Sequence, residues 1–152
     1  MLLVKIKDLR DEAELNQKKM ADIMHVSKST YGRWETDEAL IPLKHLNNLC
    51  NYFNVSMDYI TGLNKDNNYE ITNKKLNKEL IGKRLKDFRK ENNLTQEKLA
   101  EKINTSHSTI SGYENGKNMI LTAFAYTIAK LYNISLDYLT GRVDINYLNK
   151  KK

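Results

Sequence analysis

Apolar residues recur at helical spacing along most of the chain, broken at short intervals by residues suited to caps and turns. Leu2, Ile6 and Leu9 stand at i, i+4 and i+7, one apolar helical face, and Ile81, Leu85 and Phe88 repeat it. Both stripes end before Leu15 and Leu94. Asn16 and Thr95 can then cap a second helix, whose buried face comes from Met20, Ile23 and Met24 or from Leu99 and Ile103. Three or four residues later a third helix is predicted, capped by Ser27 and Ser106 and ending near Glu35 and Glu114. His25 and Asn104 lie in the interruption and tolerate a left-handed backbone, so the turn there is tight. Pro42 favours the start of a fourth helix with the stripe Leu43, Leu46, Leu49 and Phe53, matched by Ala125, Ile128, Ala129 and Tyr132. Ser56 and Ser135 cap a short fifth helix that Gly62 and Gly141 close.

The whole pattern occurs twice without a gap, at the offset of 79 that separates Leu15 from Leu94. A period this long, with five helices inside it, predicts two complete small domains; solenoid repeats of two helices are shorter. The fold class is therefore all-α: a five-helix domain over 1–62, a polar linker over 63–78, a second five-helix domain over 79–141 and a basic tail over 142–152. The tail carries Val143, Ile145, Tyr147 and Leu148 between charged ends, a pattern suited to packing back on a domain or onto another subunit.

Domains of roughly 60 residues are near the lower limit for an independent core and leave no room for a large buried active site. The net charge of +6 is compatible with a polyanionic partner. Much of the excess lies in the linker and in the tail ending Lys150-Lys151-Lys152, so a binding surface on the first domain must come from local placement. The single Cys50 sits on an apolar stripe and reads as a small core residue, and His25, His45 and His107 have no zinc-ligand spacing. No paired catalytic carboxylates, nucleophile with its base or phosphate loop is visible, so no enzyme, metal or cofactor is expected. No signal-peptide pattern or long apolar run appears, which predicts a cytoplasmic chain without membrane association.

Thr95-Gln96-Glu97-Lys98-Leu99-Ala100, followed by Ser106-His107-Ser108-Thr109-Ile110-Ser111-Gly112-Tyr113-Glu114-Asn115-Gly116, resembles the helix-turn-helix of the phage-repressor family, the Cro-like or Xre-type domains. Asn16-Gln17-Lys18-Lys19-Met20-Ala21 with Ser27-Lys28-Ser29-Thr30-Tyr31-Gly32-Arg33-Trp34-Glu35 is similar to the same motif. The resemblance implies tandem lambda-repressor-like domains that read DNA with helix 3. Ala21 and Ala100 lie where helix 2 approaches helix 3, and a larger side chain would part them. Tyr31 and Trp34, or Ile110 and Tyr113, three apart, bury one face of helix 3. Lys28, Ser29, Gly32 and Arg33, or His107, Ser108, Ser111 and Gly112, are left facing outward.

Carried over by position, the resemblance implies DNA contacts at Gln17, Lys28, Ser29, Thr30, Gly32 and Arg33 in the first copy. In the second it implies Gln96, His107, Ser108, Thr109, Ser111, Asn115 and Lys117, with Lys117 and Asn118, which follow the helix, placed to meet phosphate. Lys or Arg can donate to guanine O6 and N7, Gln can pair with adenine, and Ser or Thr can serve several bases. Taken singly, these are ordinary surface residues; their joint position at a motif that recurs is what gives them meaning. Arg10 with Glu35 and Arg89 with Glu114 resemble the family's ion pair between helices 1 and 3, a structural role.

Two features depart from the pattern. The second recognition helix has no Lys or Arg, and the loop after the first is acidic, where Asp37 and Glu38 would face a phosphate unfavourably. The expectation is a sequence-specific, double-stranded DNA-binding transcriptional repressor that binds an imperfect operator. A linker of about 16 residues would reach up to roughly 50 Å if extended, enough for recognition helices about 34 Å apart. A homodimer stays open, as does the alternative in which one domain is a protein-interaction module of an antitoxin or anti-regulator.

Overall fold

The structure, a computed structural model, describes residues 2–149 and is entirely helical within them, apart from turns and extended connections. The chain divides into two compact units, 1–70 and 71–152. In the first, α1 (Ile6–Glu12), α2 (Gln17–Ile23), α3 (Lys28–Thr36), α4 (Leu43–Phe53) and α5 (Met57–Ile60) follow one another. In the second, α6 (Lys78–Glu91), α7 (Gln96–Lys102), α8 (His107–Glu114), α9 (Thr122–Tyr132) and α10 (Leu136–Leu139) repeat that order, followed by a 3-10 turn over Tyr147–Asn149.

Local chemistry sets most of these boundaries. Asn16, Ser27 and Ser56, and Thr95, Ser106 and Ser135, each accept a backbone N–H of the helix they precede, satisfying a donor that the first turn would otherwise leave unpaired. His25 and Asn104 take positive φ, 60° and 62°, and turn the chain between the paired helices. Gly62 and Gly141, both at φ +80°, terminate α5 and α10. Ala21 and Ala100 are buried between their helices, and Tyr31, Trp34, Ile110 and Tyr113 are buried beneath α3 and α8. Cys50 is fully buried in the first core.

The two first helices differ. In the second unit Ile81, Leu85 and Phe88 lie on one fourteen-residue helix, as their spacing predicts. In the first, α1 begins only at Ile6, and Leu2 is buried from a non-helical lead-in together with Leu3. That lead-in is fastened elsewhere: Leu2 N–H donates to Asp37 Oδ1 and Lys5 N–H to the Ile60 carbonyl. Apolar burial without helix formation satisfies the same periodicity, so the stripe alone misplaces the start.

The polar segment expected to be a linker is held by its neighbours. Asn67 Oδ1 accepts the Ser56 N–H at 3.0 Å, Asn67 Nδ2 donates to the Asn54 carbonyl, and the Tyr69 hydroxyl donates to Asp58. In the second unit the N–H groups of Thr72 and Asn73 both donate to the Arg142 carbonyl. The segment is therefore bonded to the first unit through Asn67 and Tyr69 and to the second through Thr72 and Asn73, and is not free along its whole length. The tail expected from 142 likewise begins inside the second unit. Arg142 and Val143 are buried, Arg142 Nε donates to Asp137 Oδ1 at 2.9 Å, and Asn146 Oδ1 accepts the Ser135 N–H at 2.7 Å. Lys150, Lys151 and Lys152 lie outside the described residues.

Candidate nucleic-acid interface

Each unit presents the outward face of its third helix beside the first residue of its second. Lys28 and Ser29 on α3 and His107 and Ser108 on α8 are exposed at the helix starts, and Arg33 is exposed one turn on. The Lys28 ammonium has no partner among the described residues, whereas Arg33 Nη2 donates to Ser29 Oγ one turn back at 3.1 Å. Thr30 and Thr109 are half-buried, and their hydroxyls bond to the capping Ser27 and Ser106. They shape the helix start as well as bordering the surface. Ser111 is half-buried on the same side of α8.

The two glycines of these helices differ. A Cβ on Gly32 would meet nothing nearer than Gln17 Oε1 at 3.6 Å, so that position is open to close approach. Gly112, expected to face outward, is buried, and a Cβ there would lie 2.7 Å from Asn118 Nδ2. Packing of the following loop, invisible in the helical pattern, makes Gly112 a packing residue.

Behind each surface lies one recurring cluster. Arg10 donates from Nε to Glu35 Oε2 at 2.7 Å and from Nη2 to Glu35 Oε1 at 3.1 Å, while Nη1 reaches the Leu15 carbonyl at 3.0 Å. Arg89 makes the same three bonds to Glu114 and to the Leu94 carbonyl, at 2.6, 3.0 and 2.9 Å. The pairs expected from the sequence are thus formed, and they are bidentate. Hydrogen bonding to the glutamate raises the pKa of each arginine. Burial acts to raise that of Glu35, but hydrogen bonds led by that from Arg10 outweigh it and hold the carboxyl below the usual range.

Gln17 and Gln96 belong to this cluster, a role the sequence did not reveal. Gln17 Nε2 donates to Glu35 Oε1, and Gln96 Nε2 to Glu114 Oε1, each at 3.0 Å. Both glutamines are half-buried, their amides held at the base of the recognition helix. In the second unit Gln96 Oε1 also meets His107 Nε2 at 2.7 Å. The recurring spacing of Arg10, Gln17 and Glu35 in Arg89, Gln96 and Glu114 was the available signal.

The loops after these helices also differ. Asp37, at φ 64°, turns its carboxylate back to the Leu2 N–H, and Glu38 accepts from the Thr36 hydroxyl. The Asp37 charge is therefore engaged within its unit, where the sequence suggested a clash with phosphate. In the second unit Asn115 Oδ1 accepts the Lys117 N–H at 3.0 Å, and Lys117 and Asn118 are exposed. Among the described residues there is no group of three or more His, Cys, Asp or Glu that could hold a metal ion, and no helix is long and apolar enough to cross a membrane.

A family model described as helix-turn-helix matches residues 6–60 and, again, 85–139. The chain is 36% identical over 70 residues to a protein of Bacillus subtilis strain 168 named HTH-type transcriptional regulator ImmR, a match covering 46% of this chain and 55% of that one. It is 39% identical over 61 residues to the uncharacterized HTH-type transcriptional regulator YobD of the same strain, covering 40% of this chain and 54% of the relative. Antitoxin PezA of Streptococcus pneumoniae serotype 4 is 34% identical over 62 residues, or 41% of this chain and 39% of the antitoxin. The match thus spans about half the length of the two regulators, and less of the antitoxin.

Proposed function

Because the chain belongs, through both of its units, to the helix-turn-helix family of Xre and phage-repressor type, we propose that it is a sequence-specific, double-stranded DNA-binding transcriptional repressor. The observation that carries this reading is the division of labour on α3 and α8. One face is locked into the core and the Arg–Glu–Gln cluster, while the other carries Lys28, Ser29 and Arg33, or His107, Ser108 and Ser111, side chains of the types that donate to or accept from base edges. Exposed Lys117 serves the phosphate backbone. The chain acts by binding, without catalysis.

Two readers on one chain make the second contact intramolecular, so that each can be weak and the pair still selective. The rows differ at Lys28 and His107 and at Gly32 and Ser111, and Arg33 has no outward counterpart because Gly112 is buried, so the operator is an imperfect repeat. Selection of duplexes from a random pool by the full chain tests this. A recovered site with two unlike half-sites, bound with a steep salt dependence, is the expected result. Recovery of no consensus would overturn it.

Similarity to a protein named as an antitoxin supports a second reading, in which one unit engages a protein partner. Stable co-purification of one protein, together with absence of duplex binding, would favour it.

A further inference from the structure

We infer that Gln96 fixes the tautomer of His107 and thereby sets which bases the second unit accepts. The inference rests on the DNA-reading role of α8 and adds the chemistry of one contact. The Glu114 carboxylate is an acceptor, so the Gln96 atom facing it at 3.0 Å is the amide nitrogen. The other end of that amide is then a carbonyl oxygen, and the ring nitrogen 2.7 Å from it must donate. His107 Nε2 therefore carries the proton in the neutral ring. Glu97 Oε2, 3.8 Å from the same nitrogen, favours the same assignment.

Among the described residues His107 Nδ1 has no hydrogen bond, which leaves it as an acceptor on a half-exposed ring, 53% accessible, at the first position of the recognition helix. In the major groove an acceptor pairs with the N6 amino group of adenine or the N4 amino group of cytosine, and faces guanine O6 and N7 or thymine O4 unfavourably. At the equivalent position of the first unit stands Lys28, which only donates and suits guanine. The two units thus ask opposite questions at one position: a base acceptor for Lys28, a base donor for His107. Gln17, lacking a histidine neighbour, plays no such part. Gln96 is a positioning residue, and the other charged groups lining the open hollow that the ring borders, Lys98 and Glu101, lie on the same helix as Glu97.

Long-range 1H–15N correlation on the full chain at neutral pH reads the tautomer without DNA. The Nε2–H form is expected for His107 in the wild type and a mixture in Gln96→Met; an Nδ1–H form in the wild type overturns the inference. Competition among duplexes varied at one base pair then reads the consequence. The wild type should prefer adenine or cytosine over guanine by roughly two- to tenfold at one position of the second half-site, and His107→Lys should shift that preference to guanine. Gln96→Met should flatten discrimination at that position more than at any other. A wild-type preference for guanine there, with the tautomer as stated, overturns the specificity claim. Binding of no duplex at all, with the tautomer as stated, overturns the DNA-reading role and this claim with it.

Discussion

Arg10 grips Glu35 through two hydrogen bonds, at 2.7 and 3.1 Å, although the two residues lie 25 positions apart in sequence. The glutamate side chain is fully buried, and the arginine retains 13% accessibility. Because Gln17 hangs on the same carboxylate, the pair ties helix 1 to helix 3 and also orients a residue at the edge of the recognition surface. Glu35→Ala or Glu114→Ala strands a guanidinium and frees the glutamine. Each is expected to cost its own unit about 3 kcal/mol, seen as a lowered thermal midpoint. Unchanged melts would show that the pair carries no structural load.

Lys28→Ala and Arg33→Ala should each weaken binding to the selected site by about 1–3 kcal/mol while affecting scrambled duplex less. Equal losses on both duplexes would reassign the residues to phosphate. Ser29, which accepts from Arg33 in the free protein, should show a smaller loss than Arg33.

Acid should unfold the first unit before the second. His45 packs on Trp34 with ring centroids 5.2 Å apart, and its buried Nδ1 has no hydrogen-bond partner among the described residues. Burial, aided by the Lys44 charge, lowers its pKa. The unfolded chain therefore takes up this proton first, and stability declines as pH falls through the ordinary histidine range near 6.5. Glu35, held low, adds stability that is present above about pH 4.3 and is lost as pH drops further. The second unit has Phe124 in place of His45. Thermal melts of His45→Phe between about pH 7 and pH 5 should lose the first decline; an unchanged profile would remove His45 as its source.

Arg142→Met should destabilise the second unit by about 3–5 kcal/mol, since it leaves the buried Asp137 without its guanidinium. Both side chains of that pair are fully inaccessible. Chemical denaturation with a probe in the second unit measures the loss. A midpoint equal to wild type would return residues from 142 onward to the status of a tail.

Helical periodicity, caps and the repeat were legible in the sequence because they are local: Ser27 caps α3 through its own first turn, and Ala21 is small because the next helix passes over it. The Arg–Glu pairs were legible through resemblance, and their recurrence at equal spacing agreed. Burial of Leu2 outside a helix, the inward packing of Gly112 and the capture of Asn67 and Arg142 by their units were not legible. Each depends on a partner distant in sequence or on the course of a loop, which periodicity does not record. The same holds for His107. Its type and position are written in the chain, but which of its nitrogens carries the proton was decided only when folding brought Glu114, Gln96 and His107 into one line of donors and acceptors.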